Sequence, residues 1–481
     1  MKSDMTSGQE LIRATACSVV DKLKSGEVTP LDLLDVLEKR IAEVDVQVNA
    51  LPTLCFDRAR ARAKALMKKP AGDRGMLAGM PIPIKDLNNV EGVRTTQGSP
   101  IYRDNIATRS DFSVERLEAN GGIVYAKSNT PEFGAGANTF NEVFGATLNP
   151  WDLSRSAAGS SGGAAVALAT GMAWLAHGSD MGGSLRNPAS FCSVVGLRPS
   201  IGRVPHMPAA KIDRNLGAQG PMARNVEDAA LLLDAMSGEH PGDPFSLPLP
   251  PQSFLAAARS GNKPRRVAFS TDLGITPVEP EVADITRKAA MRFAEAGVIV
   301  EEAHPDLREA HECFHVLRAF DYAISKAALV RTKRDQLKPE VIWNIEEGRK
   351  LTVEQIEHAE AQRLAMTNRT LEFFKTYDLL LTPATIVSPF PIGDRYVAEC
   401  AGKKFDNYVE WLGIAYAITL VCCPALSLPC GFTASGLPVG LQIVAPPRGE
   451  AQLLAGARVL ENILGISAMT PIDPRPAPRI G

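Results

Sequence analysis

The sequence predicts an α/β fold behind a helical N-terminal segment. Three observations carry the prediction. Apolar residues recur at helical spacing through the first 70 positions, short apolar runs alternate with helix-like segments from Met80 onward, and the alternation continues past the Pro-rich stretch at 241–251.

The elements follow in order. Residues 9–23 carry one helical apolar stripe. Thr29 is an N-cap and Pro30 the first helical position of a helix over 31–44, because the N–H that proline lacks is left unpaired in a first turn anyway. Residues 58–69 form a third helix, whose alternating Arg and Ala mark a solvated face. Residues 82–84 read as a strand. Ser110 caps a helix that runs through Glu118 and stops at Asn120-Gly121-Gly122, before a buried strand over 123–126. Residues 162–170 are small and apolar, which predicts a buried helix packed close to its neighbours, followed by a strand over 174–176. Asn225 caps a helix over 226–236. Strands are expected over 267–269, 298–300, 379–381 and 426–428, and a last long helix over 453–464. The Pro-rich stretch 241–251 reads as a surface connection and 473–478 as a tail. One domain is expected over 1–481, with residues 1–70 helical, 71–470 the α/β core and 471–481 the tail.

The 481 residues are 45% hydrophobic and 22% charged, with a net charge of −2 at pH 7. That balance offers no excess of either sign for nucleic acid or a membrane surface. No apolar run is long enough to span a bilayer, and the first residues lack the apolar core of a secretory signal, so a cytoplasmic protein is expected. Eight cysteines with no Cys-x-x-Cys pair read as reduced core residues.

Two glycine-flanked serines lie twenty-four residues apart. Ser160 sits in Ala157-Ala158-Gly159-Ser160-Ser161-Gly162-Gly163, and Ser184 in Gly178-Ser179-Asp180-Met181-Gly182-Gly183-Ser184-Leu185-Arg186-Asn187-Pro188-Ala189. A serine hydroxyl needs a base before it can attack, and glycine lets substrate and backbone N–H donors come close. Lys85, in Met80-Pro81-Ile82-Pro83-Ile84-Lys85-Asp86, is the candidate base, since an apolar setting disfavours its charged form. An ordinary lysine, with a pKa of about 10.4, is neutral in fewer than roughly one molecule in a thousand at pH 7. Asp86 points to the opposite face of the strand and is expected to hold loop structure, not to pair with the base. Ser161 is a candidate to orient Lys85 or Ser160. Arg186 is a candidate to brace the Ser184 turn through carbonyls or Asp180.

These motifs resemble the amidase signature family. Pro83-Ile84-Lys85-Asp86, Gly159-Ser160-Ser161-Gly162-Gly163, Asp180-Met181-Gly182-Gly183-Ser184-Leu185-Arg186 and Cys192-Ser193-Val194-Val195-Gly196-Leu197-Arg198-Pro199 stand in the family's order and at its spacing. Gly220-Pro221-Met222-Ala223-Arg224 and Gly436-Leu437-Pro438-Val439-Gly440-Leu441-Gln442 extend the likeness over residues 30–465. The resemblance implies a large mixed β-sheet covered by helices on both faces. It implies hydrolysis of small-molecule amides, in some members esters or carbamates, through an acyl-enzyme and without metal or organic cofactor. Ser184 is then the nucleophile, Ser160 the bridging serine on a cis peptide bond, and Lys85 the base. The N–H groups of Met181, Gly182, Gly183 and Ser184 form the oxyanion hole, and Gly134, like Ser160, touches the substrate.

Ala158 stands where members usually carry glycine, and its methyl is expected to narrow the pocket or shift the loop. The pocket is expected from loops at 134–145, 206–219 and 385–416. The aromatic residues of the last (Phe390, Tyr396, Phe405, Tyr408, Trp411, Tyr416) serve either an aryl group or ordinary core packing. The alternative role within the family is the glutaminase-like component of a tRNA-dependent amidotransferase, which works with partner chains and usually carries glutamine where Asn187 stands. A homodimer is left open.

Two rival motifs need weighing. Gly159-Ser160-Ser161-Gly162-Gly163 matches the G-x-S-x-G elbow, which makes Ser161 the nucleophile of a histidine-based triad, but the residues before it make a poor apolar strand. His311-Glu312-Cys313-Phe314-His315 matches H-E-x-x-H, a zinc motif when both histidines share a helix face, but no third ligand is evident.

Overall fold

The computed structural model describes residues 2–207 and 216–476, those before residue 8 as backbone only. Four helices open the chain: Lys2–Arg13, Ala16–Ser25, Pro30–Val48 and Phe56–Met67. The stripe over 9–23 is therefore two helices, broken at Thr15. The Thr15 side chain accepts from Ser18 N–H, and the buried Asp228 carboxylate accepts from the N–H groups of Ala16 and Cys17 at 2.8 and 2.9 Å. A carboxylate that meets two orphan N–H groups at a helix start competes well with a continued helix. Thr29 forms a capping box with Asp32, and Pro30 takes the first turn. The basic helix is solvated, with Arg60 paired to Asp35 and Glu38 at the surface.

Ser110 is not a cap. Its Oγ accepts from Glu91 N–H at 3.0 Å, and Asp111 precedes the helix Phe112–Ala119. The Pro-rich stretch lies at the surface, where Phe245 and Leu249 are about half exposed.

Two sheets carry the architecture. The smaller has β1 (Thr53–Leu54), β2 (Pro81–Lys85) and β3 (Ile123–Ser128) in the order β1-β3-β2, with β2 and β3 parallel. The larger holds β4 (Leu175–Asp180), β5 (Val195–Arg198), β6 (Ala218–Ala223), β7 (Arg266–Phe269), β8 (Ile299–Glu302), β9 (Leu379–Pro383), β10 (Ala425–Phe432) and β11 (Pro438–Val444). Their order is β8-β7-β9-β11-β10-β5-β6-β4. Strand β7 pairs parallel with β8 and β9, and the remaining pairs are antiparallel, so the sheet is mixed.

Strand β2 runs beside β4 without a hydrogen-bonded ladder. Pro81 and Pro83 have no N–H to give one. This side-by-side placement brings the end of β2, Lys85, against Ser179 of β4. The helix Gly162–Ala169 packs onto the same region, and its glycines permit the approach: a Cβ at Gly163 would stand 2.3 Å from Asn129 N and 2.4 Å from Ala50 O. The main apolar core joins the N-terminal helices to both sheets. A second apolar cluster lies under the helices Ala310–Lys333, Val353–Phe373 and Gly413–Leu420.

Candidate active site

Each serine of interest sits where a strand or loop hands over to a helix. Ser160 and Ser161 precede the helix Gly162–Ala169, and Ser184 lies on the turn between β4 and the helix Arg186–Cys192. The Gly159–Ser160 peptide bond is cis.

Lys85 is fully buried. Its Nζ lies 2.7 Å from Ser160 Oγ, 2.8 Å from Ser161 Oγ, 3.1 Å from Ser179 Oγ and 3.2 Å from Ser179 O. All four partners are neutral. Burial draws its pKa down to about 7, against the upward pull of the Asp180 charge. An amine of that affinity is neutral in about half of the molecules at pH 7. Asp86 turns away, accepting from Lys127 Nζ at 3.1 Å and from Thr96 N–H and hydroxyl. Ser161 Oγ also donates to Ser179 O at 3.3 Å.

The turn that carries Ser184 is built on Asp180. Its carboxylate accepts from Gly183 N–H at 2.9 Å, Leu185 N–H at 3.1 Å, and Arg186 Nε and NH2 at 3.0 and 2.8 Å. Arg186 reaches on to Ala415 O and Gln442 Oε1 at 2.8 and 2.6 Å, while Arg198 donates to Asp180 O. Burial alone pushes the Asp180 carboxyl up; Arg186, Arg198 and Gly183 N–H outweigh it and hold the group well below the usual carboxylate range. Gly183 has φ +105°, and a Cβ there would stand 2.4 Å from Asn187 Oδ1, so only glycine fits. Its N–H is taken up by Asp180. Among the described residues the N–H groups of Met181, Gly182 and Ser184 meet no acceptor.

Ser160 and Ser184 border one cavity of about 400 Å³. Ser161 N–H donates to Ser184 O at 3.1 Å, but the Ser160 and Ser184 hydroxyls are not hydrogen-bonded to each other. Catalytic contacts of this kind commonly tighten only when substrate is in place. Gly134 borders the cavity too; a Cβ there would lie 3.3 Å from Ser160 Oγ.

The loops expected around the cavity contribute unequally. Gly134, Gly136 and Ala137 border it, as do His206, Met207 and Leu216–Gln219, whereas 208–215 lie outside the described residues. From 385–416 only Leu412 is on its wall, and the six aromatic side chains pack in or against the second apolar cluster. Ala158 is buried in that cluster at φ +55° and does not border the cavity, so its methyl does not narrow the pocket. A further wall comes from the helix Ala310–Lys333, through Arg318, Asp321, Tyr322, Ser325 and Lys326. Sequence reasoning missed that wall, because nothing in the helix periodicity separates a cavity-facing side from a core-facing one.

The rival motifs lose their geometry. Ser161 is fully buried away from the cavity wall and bonds to Lys85 and Ser179, with no histidine. His311 and His315 share the helix Ala310–Lys333, but both His311 nitrogens are engaged, with the Tyr416 hydroxyl and with Ile275 O at 2.8 Å, and His315 packs against Trp343. Among the described residues no three metal-ligating side chains gather.

Known proteins resemble this chain along nearly its whole length. The amidase family model matches residues 32–454. The chain is 34% identical to an acylamidase of Rhodococcus erythropolis, over 97% of this chain and 98% of that one. It is also 34% identical to a glutamyl-tRNA(Gln) amidotransferase component from Moorella thermoacetica, over 94% and 97%. Among solved structures, a bacterial aryl acylamidase superposes with a TM-score of 0.88 at 26% identity, over 95% of this chain and 99% of that one. The family match over residues 32–454 and relatives along nearly the whole length establish that this chain belongs to the amidase signature family and is a hydrolase of carbon–nitrogen bonds.

Proposed function

We propose that this protein, working as a single domain in the cytoplasm, cleaves small-molecule amides by way of an acyl-enzyme on Ser184. One observation carries the reading: a fully buried lysine whose partners are neutral, with its Nζ 2.7 Å from Ser160 Oγ. A neutral amine has two N–H bonds and one lone pair. The carbonyl of Ser179 can only accept, so it takes one N–H. The lone pair is then open to a hydroxyl proton; Ser160 and Ser179 both border the cavity, and the Ser160 hydroxyl lies nearer the amine, at 2.7 against 3.1 Å.

Lys85 accepts the proton of Ser160 as Ser160 accepts that of Ser184, and Ser184 Oγ attacks the amide carbon. The negative oxygen is met by the N–H groups of Met181, Gly182 and Ser184, already turned from other acceptors. Gly183, also expected there, serves Asp180 instead. The proton returns through Ser160 to the departing amine, and water releases the acyl group by the same route. Ser161 and Ser179 hold the amine in place, and Asp180 with Arg186 holds the Ser184 turn. A cavity of about 400 Å³ suits a small molecule.

The test is covalent. A fluorophosphonate should label wild-type protein on Ser184, and Ser184→Ala should lose both label and amide turnover. An adduct mapped to another residue, or turnover surviving in Ser184→Ala, contradicts the assignment. The equal identity to an amidotransferase component keeps a second reading in view. Against it stands Asn187 in place of the usual glutamine. Turnover of simple amides by the isolated chain favours the first reading; a strict requirement for a copurifying partner favours the second.

A further inference from the structure

The cavity wall formed by the helix Ala310–Lys333 carries a cation that the proposed proton relay does not use. Arg318 is 7% exposed and borders the cavity. A guanidinium stays charged at any pH a protein meets, and a buried charge is ordinarily met by an opposite one. Arg186 and Arg198, equally buried, both meet Asp180. Arg318 does not have such a partner among the described residues. Its Nε donates to Asn344 Oδ1 at 3.2 Å, and NH2 to the hydroxyls of Tyr408 and Tyr322 at 3.0 and 3.4 Å. The rings of Tyr322 and Tyr408 lie 4.7 and 6.0 Å from its Cζ, which eases the burial without cancelling the charge. Asp321 acts on it only from beyond ion-pair distance.

The remaining nitrogen, NH1, meets only the thioether of Met181, at 3.4 Å. Sulfur is a weak acceptor, so the two N–H bonds of NH1 are poorly used. Met181 stands three residues before Ser184 and borders the same cavity. The guanidinium is thus held rigidly by Asn344 and two tyrosines, with its under-used edge toward the turn that carries Ser184.

We propose that Arg318 is a specificity-determining residue that receives a carboxylate carried by the substrate, so that the preferred substrates are amides bearing an acid group. This rests on the reading of Ser184 as nucleophile of an amidohydrolase. The neutral polar partners orient the fork, and an incoming carboxylate supplies the missing counter-charge through charge-assisted hydrogen bonds.

Two matched pairs test it. Succinanilic acid against butyranilide places the acid on the acyl side, and 4-acetamidobenzoate against 4-methylacetanilide places it on the amine side. In at least one pair the acid should exceed its neutral partner in kcat/KM by on the order of tenfold or more. Arg318→Gln should remove that advantage, and Arg318→Lys, which keeps the charge but loses the fork, should retain part of it. Calorimetric titration of the same acids into Ser184→Ala and into Ser184→Ala/Arg318→Gln gives a readout free of catalysis, with binding expected in the first and lost in the second; melting curves check that each variant is folded.

Neutral partners favoured in both pairs, or an acid advantage that survives Arg318→Gln, overturn the carboxylate site while leaving amide hydrolysis standing. Binding of the acids that depends on Arg318, without turnover of any amide, upholds the carboxylate site and overturns the hydrolytic reading.

Discussion

Asp180 shows how much one side chain can hold. Its two oxygens and its carbonyl meet two arginines and two backbone N–H groups, all out of water, in the turn that carries Ser184. Removing one member of such a buried set leaves the others charged and unmatched, at about 3–5 kcal/mol. Asp180→Asn should lower unfolding free energy by that amount in urea titration, with activity lost alongside; a change under about 1 kcal/mol would show that Arg186 and Arg198 find other partners. At this scale much was legible. Lys85, Ser160, Ser184 and Arg186, which the structure brings to one region, each lie inside a short motif that singled them out. Ser179 and Arg318 were not, because their placement depends on what they meet: Lys85 on a strand ninety-four positions away in sequence from Ser179, and the cavity that Arg318 borders.

Elements were legible where their signals are local. Thr29 and Pro30 start a helix by chemistry contained in four residues, and the structure keeps it. The break at Thr15 was not legible for a physical reason: its local cap on Ser18 N–H is reinforced by Asp228, which lies 212 residues from Ala16 and receives Ala16 N–H. Asp228→Ala should therefore fray the start of the helix Ala16–Ser25. The expected cost is about 1–3 kcal/mol, with faster hydrogen exchange at Ala16 and Cys17. Unchanged exchange there would assign the break to Thr15 alone. Strand β6 escaped notice because Ala-Gln-Gly-Pro-Met-Ala has neither an apolar run nor an alternation. It is a strand because β4 and β5 flank it, not because of its own preference.

The acid–base character of Lys85 belongs to the whole molecule. No residue adjacent in sequence neutralises it; the small sheet lies against the edge of the large one, and that junction shuts water out. The α/β class and most of the strands were readable from apolar runs, but this junction was not, since strands that lie side by side without a ladder leave no pairing signal. The consequence for pH has a definite sign. Burial lowers the Lys85 pKa from 10.5 to about 7; in the proposed mechanism the deprotonated form reacts, so the rate should rise with pH and level off once Lys85 is neutral. The most direct measurement is the rate of Ser184 labelling by a fluorophosphonate from pH 5 to 10, in wild type and in Lys85→Met. The wild-type rate should climb about tenfold per pH unit below a midpoint near 7 and stay flat above it, and Lys85→Met should fall by about 100-fold or more with no such limb. A wild-type midpoint near 10, or a Lys85→Met variant that keeps the rate and the limb, would contradict the buried neutral amine as the base.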